Sequence, residues 1–343
     1  MNPQTLRAVT ALIPATLTLA TPLLAAEVNV YSFRQPELVQ PLFDAFTAAT
    51  GISVNVAFVE KGLVERLVAE GDRSPADLVM TVDISRLAQL VDAGVTQSVD
   101  SATLTANIPA AYRDPGNQWF GLTTRARVIY ASRDRVADGA VTTYEGLADP
   151  KWQGKLCTRS GLHDYTLGLM AAMIAHHGEA FAKTWAEGLK ANLAKKPDGG
   201  DRDQVKSIWA GECDIALGNT YYMGEMLADP EQKVWADAVR IVFPVFAEAG
   251  QSGGTHMNVS GVVMTKAAPD RPQALQLMEF LSSDAAQKIY AETNHEFPVK
   301  PGVPRSALVQ SWGDFTPDSL DINDLARLRP AALRLMEEVN FDG

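Results

Sequence analysis

The chain has 343 residues, 46% apolar and 21% charged, with 25 glycines and 19 prolines, an ordinary globular composition that excludes disorder, collagen and coiled coil. At roughly 150 residues per domain this length favours two core-bearing domains, and a cleft between them is the first place to look for function. Lys and Arg number 30 against 41 Asp and Glu, a formal net of −11, so the basic field that nucleic acid or an anionic membrane surface requires is missing.

At the start, a single charge at Arg7 precedes an apolar run from Ala8 to Leu24 and then Ala25-Ala26. That is the layout of a secretory signal peptide over residues 1–26, although Leu24 stands where cleavage prefers a smaller residue. The run is short of the about 20 apolar residues of a spanning helix and contains Pro14 and Pro22, which argues against a retained membrane anchor. The mature chain is therefore expected to be exported and acidic. Export gives meaning to Cys157 and Cys213, the two cysteines of the chain. In an oxidising compartment the pair is expected to form a disulfide worth about 4 kcal/mol on the chain-entropy model, the alternative being two buried free thiols. Neither cysteine has a partner at zinc-ligand spacing.

After the leader, Val28 to Ser32 alternates as a strand does, and Pro36 opens a stretch that puts Leu38, Leu42, Phe43 and Phe46 on one helical face up to Gly51. Ile52, Val54, Val56 and Phe58 restore period two, a second helix is predicted from Leu63 to Glu70, and Leu78 to Val82 reads as a third strand. This βαβαβ opening predicts a parallel α/β sheet with right-handed crossovers. Further strands are predicted at Val128–Ala131, Asp214–Leu217, Val239–Pro244 and Val259–Thr265, and helices near Leu167–His176, Val205–Trp209 and Ala274–Leu281. The alternation is expected to continue to the end. Glu248 to Gly254 and Pro197 to Gly200 read as surface connections, and Asp201 with Gln204 reads as a capping box that starts the next helix.

The chain lacks a phosphate-binding glycine loop, a GxSxG elbow, HExxH and an EF-hand loop. The five histidines have no spaced partners: His176 and His177 are adjacent, and His163, His256 and His295 stand alone, so each reads as a surface or loop residue. An exported two-domain α/β chain without a catalytic signature is first a solute receptor closing two lobes on a ligand. An exported hydrolase is the rival class. The informative run is Gly218-Asn219-Thr220-Tyr221-Tyr222-Met223-Gly224, directly after the strand that ends at Leu217. Ligands of open α/β sheets sit at such carboxyl ends. Taken alone, however, two adjacent tyrosines are more often a packed, hydrogen-bonded aromatic pair.

Seven motifs give that pair company: Val30-Tyr31-Ser32-Phe33-Arg34-Gln35-Pro36, Ser74-Pro75-Ala76-Asp77, Trp119 to Arg127, Cys157-Thr158-Arg159-Ser160-Gly161, Gly199 to Gln204, Gly218 to Tyr222, and Asn294-His295-Glu296-Phe297-Pro298-Val299. Together, in this order and spread over nearly all of the mature chain, they resemble the periplasmic ferric-ion-binding proteins of iron ABC transporters. The resemblance implies a transferrin-like, two-lobed type II periplasmic-binding fold, each lobe a mixed or parallel sheet flanked by helices, joined by a two-strand hinge. It implies a periplasmic monomer that delivers Fe(III) to an inner-membrane ABC permease, with no nucleic-acid partner and no membrane insertion after signal cleavage. The expected lobes are residues 27–124 with 252–300 returning, and 125–251 with 301–343 returning, the crossings falling near Thr124 and Ser252.

Carried over residue by residue, the resemblance implies Tyr165, Tyr221 and Tyr222 as metal ligands. Phenolate oxygen is a hard donor suited to a hard trivalent cation, and three phenolates against Fe(III) make a formally neutral core. The anion-dependent subset of the family completes the coordination with a synergistic anion, usually carbonate or bicarbonate, which the resemblance assigns to Arg34 and Arg125. An arginine fork matches a planar oxyanion. The alternatives are a solvated charge for Arg34, and for Arg125 or Arg127 an ion pair between lobes. Other branches of the family carry a His-Tyr pair as extra ligands where this chain has Gln35 and Pro36, so no fourth protein ligand is expected there. Glu60 is the nearest alternative carboxylate and reads as a turn cap, while Tyr31 and Tyr130 read as strand residues outside the metal shell. A receptor for a small oxyanion or an organic cation is the competing reading.

Overall fold

The computed structural model describes residues 26–343 apart from 35, 60, 249 and 250. The leader up to residue 25 and the expectations for Gln35 and Glu60 lie outside the described residues. Six elements carry the predicted opening, β1 (Glu27–Ser32), α1 (Pro36–Thr50), β2 (Ser53–Phe58), α2 (Leu63–Glu70), β3 (Leu78–Thr81) and α3 (Ile84–Asp92). Strand β4 (Thr96–Gln97) and helix α4 (Ala102–Asn107) follow, then the long β5 (Phe120–Ser132) and β6 (Leu156–Cys157). Next come α5 (Asp164–Asn192), α6 (Asp201–Trp209), β7 (Ile215–Asn219), α7 (Tyr221–Ala228), α8 (Lys233–Asp237) and β8 (Val239–Val242). A two-residue hairpin, β9 (Ala247–Glu248) with β10 (Gln251–Ser252), precedes β11 (Met257–Thr265), α9 (Arg271–Leu281), α10 (Asp284–Thr293), β12 (Phe297–Pro298), α11 (Ala307–Gln310) and α12 (Ile322–Glu338).

The opening is as the periodicity predicts. β1 pairs in parallel with β2 and with β3; the adjacent Val30 and Tyr31 are both buried, as in a strand covered on both faces, and Val39, Leu42, Phe43 and Phe46 form the buried stripe of α1, with Leu38 half-buried at its edge. The strand order β2-β1-β3-β11-β5-β7-β6 is mixed, because β11 runs antiparallel to β3 and β5, and β7 antiparallel to β5.

β5 organises the molecule. From Phe120 to Ala126 it pairs with β11, and from Arg127 onwards it pairs with β7 and then β8. All thirteen of its residues are buried, as a strand shared by two half-sheets must be. One half is built on β1–β3 with α1, α9 and α10 and holds a core of Val28, Val30, Phe43, Phe46 and Tyr290. The other is built on β6–β8 and packs Val128, Tyr130, Ala216, Met223 and both cysteines together. Cys157 and Cys213 form the expected disulfide, Cα to Cα 5.9 Å, joining β6 to the approach of β7.

Three local expectations change. The expected capping box does not form: Gly200 stands at the cap and donates its N–H to Asp203 at 2.7 Å, with no side chain to return the bond, and Asp201 is drawn inward by two arginines instead. The helix predicted near Leu167–His176 begins at Asp164 and runs to Asn192, broken at Gly178, whose φ of 80° suits a residue without Cβ. The alternation stops at β12, after which α11 and α12 close the chain and α12 lies along α5. Among the described residues no helix is long and apolar enough to cross a membrane.

Candidate functional site

The end of β7 is fixed from both sides. Tyr130 of β5 passes its ring under Gly218, leaving no room for a Cβ there, and donates its hydroxyl to the Asn219 carbonyl at 2.7 Å. Asp201 accepts the Asn219 N–H at 2.9 Å. With the strand end held, the chain turns at Thr220 directly into α7, whose first two residues are Tyr221 and Tyr222, their rings 4.3 Å apart.

The third phenol arrives from another helix start. His163 caps α5 by accepting the Tyr165 N–H on Nδ1 at 3.1 Å, a role that needs neutral imidazole. Burial, and then the Arg159 charge, push its pKa down to about 4. Tyr165 Oη lies 3.2 Å from Tyr221 Oη. Phenols 56 residues apart thus converge from two helix N-termini, where the backbone dipoles favour negative charge. The sequence-predicted trio lines one cavity of about 150 Å³ together with Phe33, Arg34, Val82 and Asn294.

Burial pushes the Tyr221 phenol well above its ordinary value, and the neighbouring Tyr165 and Tyr222 phenols raise it further. Burial likewise raises Tyr222, reinforced by Tyr165. Tyr221 and Tyr222 on their own therefore resist ionising side by side. A multivalent cation between the oxygens reverses that preference, because it rewards the anionic form of each phenol.

The surroundings are cationic. The guanidinium carbons of Arg159, Arg125 and Arg127 lie 5.1, 5.4 and 5.8 Å from the centre of the Tyr165 ring. Arg127 and Arg159 both donate to buried Asp201, at 2.6 and 3.2 Å. These two guanidinia hold that carboxyl below its ordinary value against the opposing effect of burial. Arg125 donates Nη2 to the Val82 carbonyl and stands 3.7 Å from Asp83. Its Nη1 is buried without a hydrogen-bond partner among the described residues.

Arg34 is served differently. Its Nη1 and Nη2 donate to the two Glu296 oxygens at 2.7 and 2.8 Å, and Nη2 also to Ser260 Oγ at 2.8 Å. Glu296 is 1% exposed and accepts from Thr123 Oγ1 at 2.9 Å as well. Arg34 is thus neither a solvated charge nor a free fork. Glu296 is a site residue that sequence reasoning missed. Its motif was noted, but no local spacing links residues 262 apart.

Tyr31 stays outside, donating to Glu70 at 2.9 Å and accepting from Arg66 at 2.8 Å. His163, His256 and His295 lie outside helices and strands, as expected of loop residues, while His176 and His177 lie within α5. His256 is buried, and His176 stacks on Phe246 and bonds Asp318 at 2.9 Å. Among the described residues no group of three or more His, Cys, Asp or Glu side chains could hold a metal ion; the ionisable oxygen donors that line this cavity are the three phenols and the Glu225 carboxylate, with Arg202 beside them.

Known proteins agree with this architecture. The family model described as bacterial extracellular solute-binding protein matches residues 41–317. Iron uptake protein A1 of Synechocystis is 41% identical over 319 residues, covering 92% of this chain and 87% of the relative. The crystal structure of apo ferric ion-binding protein A from Pasteurella haemolytica superposes with a TM-score of 0.88 at 52% identity, covering 93% of this chain and 99% of the other. The Trichodesmium protein solved with iron and citrate ligands gives 0.85 at 40% identity, over 92% and 100% of the two chains. The fold is accordingly the two-lobed type II periplasmic-binding fold.

Proposed function

The chain belongs to the family of bacterial extracellular solute-binding proteins, binding proteins rather than enzymes, and from that premise we propose that it captures Fe(III) in the periplasm and delivers it to an inner-membrane ABC permease. The observation that carries this reading is the convergence of three phenols on one cavity, Tyr165 and Tyr221 with their oxygens 3.2 Å apart and Tyr222 beside them. As phenolates they neutralise a trivalent ion, so the cavity holds it without uncompensated charge. The iron-related relatives support the choice of metal.

Three oxygens leave an octahedral ion half coordinated, and in this reading a synergistic anion, carbonate or bicarbonate, fills the remainder. Arg125 presents a buried Nη1 with spare donor capacity, whereas Arg34 shares its fork with Glu296. The anion then draws its charge compensation mainly from Arg125, with Arg34 as a positioned neighbour. In the same reading the lobes are residues 27–124 with 252–300 and 125–251 with 301–343, supported by the change of β5 partners after Ala126, and the receptor works as a monomer.

Adding ferric citrate to the apo protein should develop a visible iron-phenolate band with one iron per chain, lost to an excess of chelator. A colourless protein that retains no iron but binds a phosphonate or an organic cation would favour the competing receptor reading.

A further inference from the structure

Arg86 and Asp164 belong to neither the phenol cluster nor the anion contacts, yet they join the two lobes beside them. Arg86 lies on α3, packed on the half that holds β3 and β11, and Asp164 opens α5 in the half that holds β6 and β7. Arg86 Nε donates to Asp164 Oδ2 at 3.0 Å. The Arg86 guanidinium rests on the Phe33 ring, 4.1 Å from its centre, and Phe33 lines the tyrosine cavity. The cation is thus stacked on the wall of its own lobe while its donor reaches across.

Asp164 has a second cation. Arg329 of α12 donates to Oδ1 at 2.7 Å, and α12 is tied along α5 by Lys183 to Glu338 and Arg334 to Glu179 as well. The two bonds therefore join different things. Arg329 links α12 to α5, which are packed along their length, whereas Arg86 links α3 directly to α5; α12 also packs on α3, so the Arg86 bond lies beside an apolar contact between the same two halves. Tyr165 is the next residue after Asp164, so whatever holds Asp164 to the first lobe also holds the phenol.

We propose that Arg86 and Asp164 are positioning residues that latch the lobes over the bound ion, a proposal that rests on the ferric reading above. Opening the cleft breaks the Arg86 bond, while Arg329 stays with Asp164 and keeps its carboxylate paired, so no charge is stranded in the open state. Arg86 likewise keeps its seat on Phe33. Such a bond at a partly exposed site is weak enough to release and sensitive to salt, which suits a receptor that must surrender its cargo.

The test compares iron-loaded parent, Arg86→Met, Arg86→Lys and Arg329→Met. An excess of chelator bleaches the visible band, and small-angle scattering of the iron-free proteins reports lobe opening. Arg86→Met should lose iron about fivefold faster, on the order expected for one exposed ion pair, and should scatter as a larger particle. Arg86→Lys should recover part of the parent rate. Arg329→Met should melt earlier yet release iron at the parent rate. Parent-like release and scattering in Arg86→Met, or equal acceleration in Arg329→Met, would overturn the latch. A parent that takes up no iron overturns the ferric reading instead, and the scattering comparison still decides whether Arg86 holds the lobes together.

Discussion

Arg34 and Tyr221 line the same cavity, but their polar atoms are served in different ways. Arg34 places two donors on a buried carboxylate that also takes a hydroxyl from Thr123 on β5. Glu296 holds the Arg34 charge against the burial that would otherwise suppress it, and Arg34 in turn keeps the Glu296 carboxyl below its usual range against burial. Tyr221 has another phenol at 3.2 Å and the Asn219 amide at a long 3.4 Å. The first cluster is complete within the protein. The second reaches its best state only when something positive enters, and this contrast separates scaffold from receptor in the same few residues.

The strongest way to break the contrast is to remove one phenol oxygen. Tyr222→Phe keeps the ring and its packing, so the fold should survive at a cost of about 1 kcal/mol. Iron affinity should fall by more than the roughly 100-fold that an outer-shell partner carries. Titration with ferric citrate, followed in the visible, measures it; parent-like affinity would return the tyrosines to the status of a packed pair.

Acidification should act on one cluster and spare the other. Phenols must release protons to bind the metal, and burial raises Tyr221 and Tyr222, so iron affinity falls as pH drops, by up to about 3 logarithmic units per pH unit if all three ionise on binding. Glu296 is held below its ordinary 4.5, so the stability it contributes is fully present above about that pH and is lost only as pH falls through its lower folded value. Between pH 7 and 5, iron titrations should therefore weaken while the melting temperature of the iron-free protein changes little through Glu296. Full colour and stoichiometric iron well below pH 5 would contradict the phenolate set.

The two arginines sharpen the contrast further. Arg125→Ala should weaken iron binding most when carbonate is scarce and recover with excess anion, whereas Arg34→Ala should show a smaller anion dependence. Arg34→Ala also strands Glu296 as an unpaired buried carboxylate, at a stability cost of about 3 to 5 kcal/mol. Iron titrations at two bicarbonate concentrations beside melting curves separate the effects, and equal anion dependence in both variants would place the anion between them.

The smallest expected effect on iron is that of the disulfide. Reduction of Cys157–Cys213 unstaples β6 from β7, the strands that lead into the helices bearing the phenols. It should lower stability by about 2 to 5 kcal/mol with a lesser loss of iron affinity. Two alkylatable thiols in native, unreduced protein would remove this brace.

Wherever one face decides the pattern, the sequence is legible: β1, α1, β2, α2 and β3 follow from period two, period 3.6 and the stop at Gly51, because both partners of each contact lie within one amphipathic repeat. The phenols are reachable only through the family resemblance: Tyr221 and Tyr222 follow a predicted strand but alone read as a packed pair, and nothing local marks Tyr165. Glu296 and the Arg86 to Asp164 bond are not legible, since 262 and 78 residues separate their partners and only the folded sheet brings them together. The failed capping box has the same origin, for Asp201 reads as a helix cap until Arg127 and Arg159 claim its carboxylate. His256 is the loop residue expected, but nothing in its neighbours reveals that the loop leading into β11 is buried.

The central claim is that phenolate oxygens from both helix starts bind the metal at once. Resonance Raman spectra excited in the visible band of the iron-loaded protein test it most directly, with Tyr165→Phe, Tyr221→Phe and Tyr222→Phe measured beside the parent. The account predicts tyrosinate ring modes in the parent and a change in them with each single replacement. An iron-loaded parent without tyrosinate modes, or spectra indifferent to all three replacements, would contradict it.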